Sequence, residues 1–252
     1  MLKNNTPSPK VALITGAARR IGAEISNILQ QNGYNVVLHY NNSQTEAEEL
    51  CSKLNSNRQD SAITMKANLA NHDDLKSLVE NSAQHWGNLD VLINNASCFY
   101  KSLVGEVTED VWNDLINTNL KAPFFLSQAA VPFLKQTKGT IINIVDIHAK
   151  RPMLEYPVYS IAKSGLKMLT KTLARELGPD IKVNSVSPGA IMWPEGENTL
   201  TKDIKDKIIS HTALKCHGDA NAIAKAVLFL VKDARYITGQ DIAVDGGRSL
   251  YL

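Results

Sequence analysis

Short runs rich in β-branched and apolar residues alternate with longer segments of helical period through most of the chain. KVALIT precedes RIGAEISNILQQNG, NVVLHY precedes QTEAEELCSKLN, and SAITMKA precedes DDLKSLVENSAQHWG. DVLINNA then leads into a helix expected from about Glu109 to Lys135, and GTIINIVD into one from about Tyr156 to Leu177; IKVNSVSPG and QDIAVDGG close the series. Strands that are apolar on successive residues must be covered on both faces, and the intervening helices are what cover them. The pattern predicts a doubly wound α/β fold, a parallel sheet of about seven strands with helices on both faces. Gly33 and the Gly178-Pro179 pair are expected to close the helices that precede them.

No Pro/Gly/Ser-rich linker divides the 252 residues, so residues 10–252 are expected as a single domain behind a flexible N-terminal tail, residues 1–9. Hydrophobic residues, at 44%, suffice to fill a core between sheet and helices. The net charge of +2 comes from scattered side chains and not from a basic stripe, so nucleic acid is not the expected partner. The longest uninterrupted apolar run, Ala226 to Val231, is far too short to span a bilayer, and the polar N-terminus lacks secretory character. A cytoplasmic protein is expected, and three cysteines without paired spacing fit reduced thiols. His211, Cys216 and His217 lie close together but lack ligand spacing, so no metal is expected.

In a doubly wound sheet, ligands bind beyond the C-terminal ends of the strands. VALITGAARRIG sets a Gly/Ala-rich turn there, between the first strand and the first helix. Gly16 and Gly22 let the backbone approach a pyrophosphate, and the unpaired N–H groups at a helix start favour an anion. This is the dinucleotide-binding arrangement of Rossmann-like folds. Arg20 stands where a third glycine is expected, and its guanidinium can bridge a cofactor phosphate and an electron-rich substrate atom. After the second strand an NAD-selective protein offers an acid to the ribose 2′-hydroxyl, whereas here Tyr40, Asn41, Asn42 and Ser43 supply none and Arg19 is nearby. NADPH is the expected cofactor.

Tyr159 and Lys163 are four residues apart on an expected helix and share one face. A lysine ammonium beside a phenol favours the phenolate, lowering its pKa and making it a usable acid near neutral pH. Asn119, on the preceding helix, and Asp146, at a strand end, are expected to converge on the same crevice.

TGxxxRxG, NNAS (Asn94 to Ser97), Asn119, YSIAK (Tyr159 to Lys163), SPG (Ser187 to Gly189) and the closing DGG together resemble the short-chain dehydrogenase/reductase family over nearly the whole chain. The resemblance implies that Tyr159 donates the proton, that Lys163 binds the nicotinamide ribose, and that Asn119 helps hold a water relay. It places NADPH/NADP along Thr15, Gly16, Arg19, Arg20, Ile21 and Gly22, along Tyr40 to Ser43, and at Asn68 and Leu69. Asn95, Ala96, Ser97, Pro188 and Gly189 complete that surface. Asn68 stands where relatives usually have an aspartate contacting adenine.

Two positions depart from the broad family pattern: Asp146 replaces a serine thirteen residues before Tyr159, and Arg20 replaces a glycine. With HYxxS, NNASxFY and VDGGxSL, both departures resemble the pteridine reductase branch. That branch implies NADPH-dependent reduction of dihydropterins, often of dihydrofolate and fully oxidised pterins, to the tetrahydro forms. It also implies Phe99 stacking the pterin, with Arg20, Ser97, Asp146 and Tyr159 as substrate contacts. An ionised carboxylate at 146 would repel a substrate carbonyl, whereas a pterin presents ring nitrogens and an amino group that it can accept from. The loop Ile191 to Leu200 should cover the substrate, with Trp193 lining the pocket or packing the loop down. The family resemblance further implies a homotetramer packed through the two long helices, with the C-terminal SLYL near a neighbouring subunit's site.

Two other functions bear comparison. A carbonyl reductase acting on 3-oxoacyl thioesters would use Tyr159 and Lys163 but leaves Asp146 unexplained. A non-catalytic dinucleotide-binding protein would need none of Tyr159, Lys163 and Asn119.

Overall fold

The computed structural model describes residues 9–193 and 199–251; the expected tail apart from Pro9, and the middle of the 191–200 loop, lie outside them. Seven parallel strands form one sheet in the order β3-β2-β1-β4-β5-β6-β7. They are β1 (Val11–Ile14), β2 (Asn35–Tyr40), β3 (Ala62–Lys66), β4 (Val91–Asn94), β5 (Thr140–Ile144), β6 (Lys182–Pro188) and β7 (Asp241–Val244). The strand order reverses between β1 and β4, and the crevice beyond their C-terminal ends is where such sheets bind ligands.

Alternation along each strand feeds two cores. Ala12 and Ile14 of β1 join Ile25 and Leu29 of α1 (Arg20–Gln31), Leu54 of α2 (Gln44–Asn57) and Val227 of α8 (Ala220–Lys232) on one face. Val11 and Leu13 join Leu78 of α3 (His72–Trp86) and Leu126 and Leu134 of α5 (Ala122–Thr137) on the other. Each fully buried Leu or Ile contributes about 1.5–3 kcal/mol to that packing.

The single helix expected from Glu109 to Lys135 is three pieces: α4 (Glu109–Ile116), a π-turn (Asn117–Lys121) and α5. The π-turn shifts the backbone hydrogen-bond register, and the Asn119 amide donates to the Leu115 carbonyl at 2.9 Å within it. α6 (Pro157–Leu177) matches its expected span, but Gly178 is extended (φ −69°, ψ 147°) and is not a left-handed cap. Gly33 does follow α1 in the left-handed region. Two helices lie outside the expected series, α7 (Lys202–Ser210) and α8. α8 contains the Ala226–Val231 run and starts at an Asp219 carboxylate that accepts from the Ala222 N–H at 2.8 Å. Asn143, the polar residue inside the apolar β5 run, accepts from Asn94 Nδ2 and donates to Thr170 Oγ1, which ties β4, β5 and α6 together. Among the described residues no helix is long and apolar enough to cross a membrane.

Candidate active site

A cleft of about 790 Å³ opens beyond the C-terminal ends of the strands. Its phosphate end is built on the turn from β1 to α1. A Cβ on Gly22 would overlap the Gly16 carbonyl oxygen and lie 2.7 Å from Asn95 Nδ2, so only glycine fits. The first turn of α1 has no side-chain cap and no acidic residue, which leaves its N–H groups to an anion. Arg20 opens that helix with φ at +55°, a left-handed conformation that glycine adopts freely and arginine adopts at a cost of about 1–2 kcal/mol. Its Nη2 donates to the Trp193 carbonyl at 3.2 Å, linking the phosphate turn to the loop after β6.

His39, the first residue of HYxxS, pins the same turn. It is 1% exposed; its Nδ1 accepts from the Gly16 N–H at 3.1 Å and its Nε2 lies 3.1 Å from the Ala67 carbonyl. Those partners require a neutral ring, and burial lowers its pKa from 6.5 to about 4 despite the Ala67 bond. The stability this provides is complete above the unfolded value of 6.5 and is lost as pH falls toward 4. Between pH 7 and pH 5 the loss from this one group should be about 2 kcal/mol. Urea denaturation of His39→Leu should lack that slope while starting from a lower stability at pH 7; a native-like slope would contradict the assignment.

Arg19 forms a 3.3 Å ion pair with Glu46, both largely in solvent. Arg19, Tyr40, Asn41, Asn42, Ser43 and Asn68 line the cleft. So do Gly16, Ile21, Leu69, Asn95, Ala96, Pro188 and Gly189. Thr15 does not: it is 1% exposed, accepts from the Asn95 and Ala96 N–H groups, and donates to the Ile93 carbonyl. It fastens β1 to the end of β4.

At the other end, Tyr159 Oη donates to Asp146 Oδ2 at 2.9 Å. Asp146 Oδ1 accepts from the His148 N–H at 2.8 Å, because Asp146 caps the short 3₁₀ turn Ile147–Ala149. The cap fixes the carboxylate and aims its second oxygen at the phenol. Lys163, 2% exposed, donates through Nζ to the Ile144 carbonyl at 3.0 Å and lies 5.6 Å from the centre of the Tyr159 ring. The expected lowering of the tyrosine pKa is not found. Burial, and next the Asp146 charge, hold the Tyr159 phenol well above its ordinary value of 10.0. Burial also depresses Lys163 from 10.5 to about 8, so the buried lysine is itself desolvated.

Asn119 is 0% exposed and lies behind the wall of the cleft. Its Nδ2 donates to the Cys98 carbonyl at 3.0 Å, and its Oδ1 accepts from the Ser97 hydroxyl at 2.6 Å. Phe99 lines the cleft with its ring stacked on Tyr156 at 4.6 Å and edge-on to Tyr159 at 4.9 Å. Trp193 lines the cleft and packs on His217, with ring centres 4.5 Å apart. Tyr156 and Arg248, not singled out from the sequence, also line it. A tyrosine one turn before Tyr159 was the available signal for the first; nothing local marked the second.

The family model described as enoyl-(acyl carrier protein) reductase matches residues 16–249. The chain belongs to the short-chain dehydrogenase/reductase family. Among members of this family, the 3-oxoacyl-[acyl-carrier-protein] reductase FabG of Staphylococcus epidermidis is 39% identical, with 94% of this chain and 98% of the relative covered. Pteridine reductase 1 of Leishmania tarentolae is 35% identical, with 97% and 98% covered. A Serratia marcescens short-chain dehydrogenase/reductase, solved as a double mutant with two phenylalanines changed to leucine, superposes with a TM-score of 0.88 at 33% identity, over 95% of this chain and 98% of that one. The protein is therefore a short-chain dehydrogenase/reductase-type oxidoreductase.

Proposed function

We propose that this oxidoreductase is an NADPH-dependent pteridine reductase that converts dihydropterins and dihydrofolate, and also fully oxidised pterins, to the tetrahydro forms. The observation that carries this reading is the 2.9 Å hydrogen bond from Tyr159 to Asp146. A serine in place of Asp146 would donate to a substrate carbonyl; a carboxylate accepts, and so suits the N–H groups of a pterin. Tyr159 and Asp146 form a two-site relay that supplies one proton to the ring nitrogen of the reduced C=N bond. The dinucleotide, when bound, supplies the hydride to the carbon of that bond. Lys163 would hold the ribose, Ser97 would be set by its bond to Asn119, and Phe99 would bear the pterin ring on its platform with Tyr156.

The cleft fits a dinucleotide at its other end, where Gly22 admits no side chain and α1 begins without a cap. The absence of an acid after β2 supports NADPH over NADH. A 2′-phosphate would draw Arg19 away from Glu46, which costs little because the pair is exposed. Trp112, Phe124, Ile161 and Met168, large apolar side chains exposed on α4, α5 and α6, support a homotetramer, and light scattering showing a monomer would exclude it.

Crystals soaked with NADP⁺ and a 2,4-diaminopteridine test the reading. The pteridine is expected against Phe99 with its nitrogens at Asp146, and a ring bound away from both would contradict it.

A 3-oxoacyl thioester reductase is the second reading. It is favoured by the slightly higher identity of the Staphylococcus epidermidis relative, 39% against 35%. It gives no use for a carboxylate bonded to Tyr159.

A further inference from the structure

Arg248 has no part in the roles assigned above, yet its position is closely determined. It opens a short 3₁₀ turn, Arg248–Leu250, directly after β7. Asp245 builds that turn: its carboxylate accepts from the Gly247 N–H at 2.9 Å and from the Ser249 N–H at 2.7 Å. The Gly246 carbonyl accepts from the Leu214 N–H at 3.0 Å, which ties the turn to the segment after α7. Gly247 is left-handed (φ +78°), and a Cβ on it would meet Ala213 Cβ at 2.6 Å, so the turn rests hard against that segment. The side chain of Arg248 is thus presented from a fixed base into the same cleft as Asp146, Tyr159 and Phe99.

The guanidinium is half-buried there and makes no hydrogen bond or ion pair with a side chain or carbonyl among the described residues. Burial works against its charge, and the fields of Asp146 and Asp245 restore only part of it. Asp245 accepts from the turn and Asp146 from His148 and Tyr159, and neither carboxylate forms an ion pair with the guanidinium. A half-buried cation with no anion in contact costs stability unless a ligand supplies one. The other cleft cations have work elsewhere: Arg19 and Arg20 stand at the phosphate turn, and Lys163 is bonded to Ile144. Among the described residues, Arg248 alone faces the substrate end from the C-terminal turn.

We propose that Arg248 recognises a carboxylate on the tail of the substrate, so that the site prefers pterins bearing an anionic side chain, the folate type, to those with a neutral one. The planar fork of the guanidinium suits a carboxylate bidentately. A short polyol tail offers no such group. This inference rests on the pteridine reductase reading.

The test compares dihydrofolate with dihydrobiopterin at saturating NADPH in the native protein, Arg248→Gln and Arg248→Lys. Arg248→Gln should lower kcat/KM for dihydrofolate at least about tenfold more than for dihydrobiopterin, mainly through KM, as expected for a lost charge-assisted bond. Arg248→Lys should recover part of that difference. Equal losses on both substrates, with a shifted pH profile, would mean that Arg248 acts through Asp146 and would overturn the proposal. Native protein that turns over neither pterin would overturn the underlying reading instead, before any variant is compared. Because Asp245 and not the guanidinium builds the turn, thermal melts of both variants should stay close to native.

Discussion

Asp146→Ser should lower kcat/KM for dihydrobiopterin by about 10³-fold, the scale of a lost positioned acid–base group. The substitution is conservative in structure, since serine also caps a turn and can still accept from the His148 N–H. What it removes is the charge, the second acceptor oxygen and the shared proton with Tyr159. Dinucleotide affinity should stay near native, because the phosphate turn is built by Gly22, His39 and α1. The same variant should gain activity on a 3-oxoacyl thioester, since its hydroxyl now donates to a carbonyl. Undiminished pterin turnover in Asp146→Ser would refute the role given to the carboxylate.

Lys163→Met should abolish most turnover and yet raise stability at neutral pH. The native amine is buried, with its pKa lowered from 10.5 to about 8, so it is charged at pH 7 at the expense of folding. The sign follows from linkage: the unfolded chain holds this proton more tightly between pH 8 and 10.5, so native stability rises across that window as pH increases. A buried thioether carries no such penalty, and the variant should gain up to about 3 kcal/mol at pH 7, less the bond to the Ile144 carbonyl. The gain should shrink as pH rises from about 8 to about 10. Chemical denaturation at pH 7 and 9.5 measures it; a variant less stable than native at both values would show that the lysine is favourably solvated in place.

The sheet was legible because its strands are apolar on both faces, a pattern that few other arrangements accommodate. All seven strands follow from it, as do α1, α2, α3 and α6. α8 was harder because its Ala226–Val231 run is too continuous to show a period; its amphipathicity emerges only where Val227 and Leu230 meet α1. The π-turn at Asn119 has no marker, since it is a one-residue register shift whose satisfaction depends on a side-chain amide.

In the site, the family resemblance related Asp146 to Tyr159 and helical spacing put Lys163 on the same face as Tyr159, and the structure brings all three together. The electrostatics went the other way. A lysine one turn away suggested a lowered phenol pKa, but burial and the neighbouring carboxylate are tertiary quantities, and they raise it. The roles of His39 and Arg248 were hidden for the same reason. One acts through a bond to a turn 23 residues away in sequence, and the other through a cleft assembled from the two ends of the chain.

The proposed pterin specificity rests on the carboxylate paired with Tyr159. Its most direct measurement is the initial rate of NADPH oxidation by purified protein given dihydrobiopterin, dihydrofolate or acetoacetyl-CoA under identical conditions. Turnover with the two pterins is expected well above that with the thioester. Rapid oxidation by the thioester with none by either pterin would contradict it.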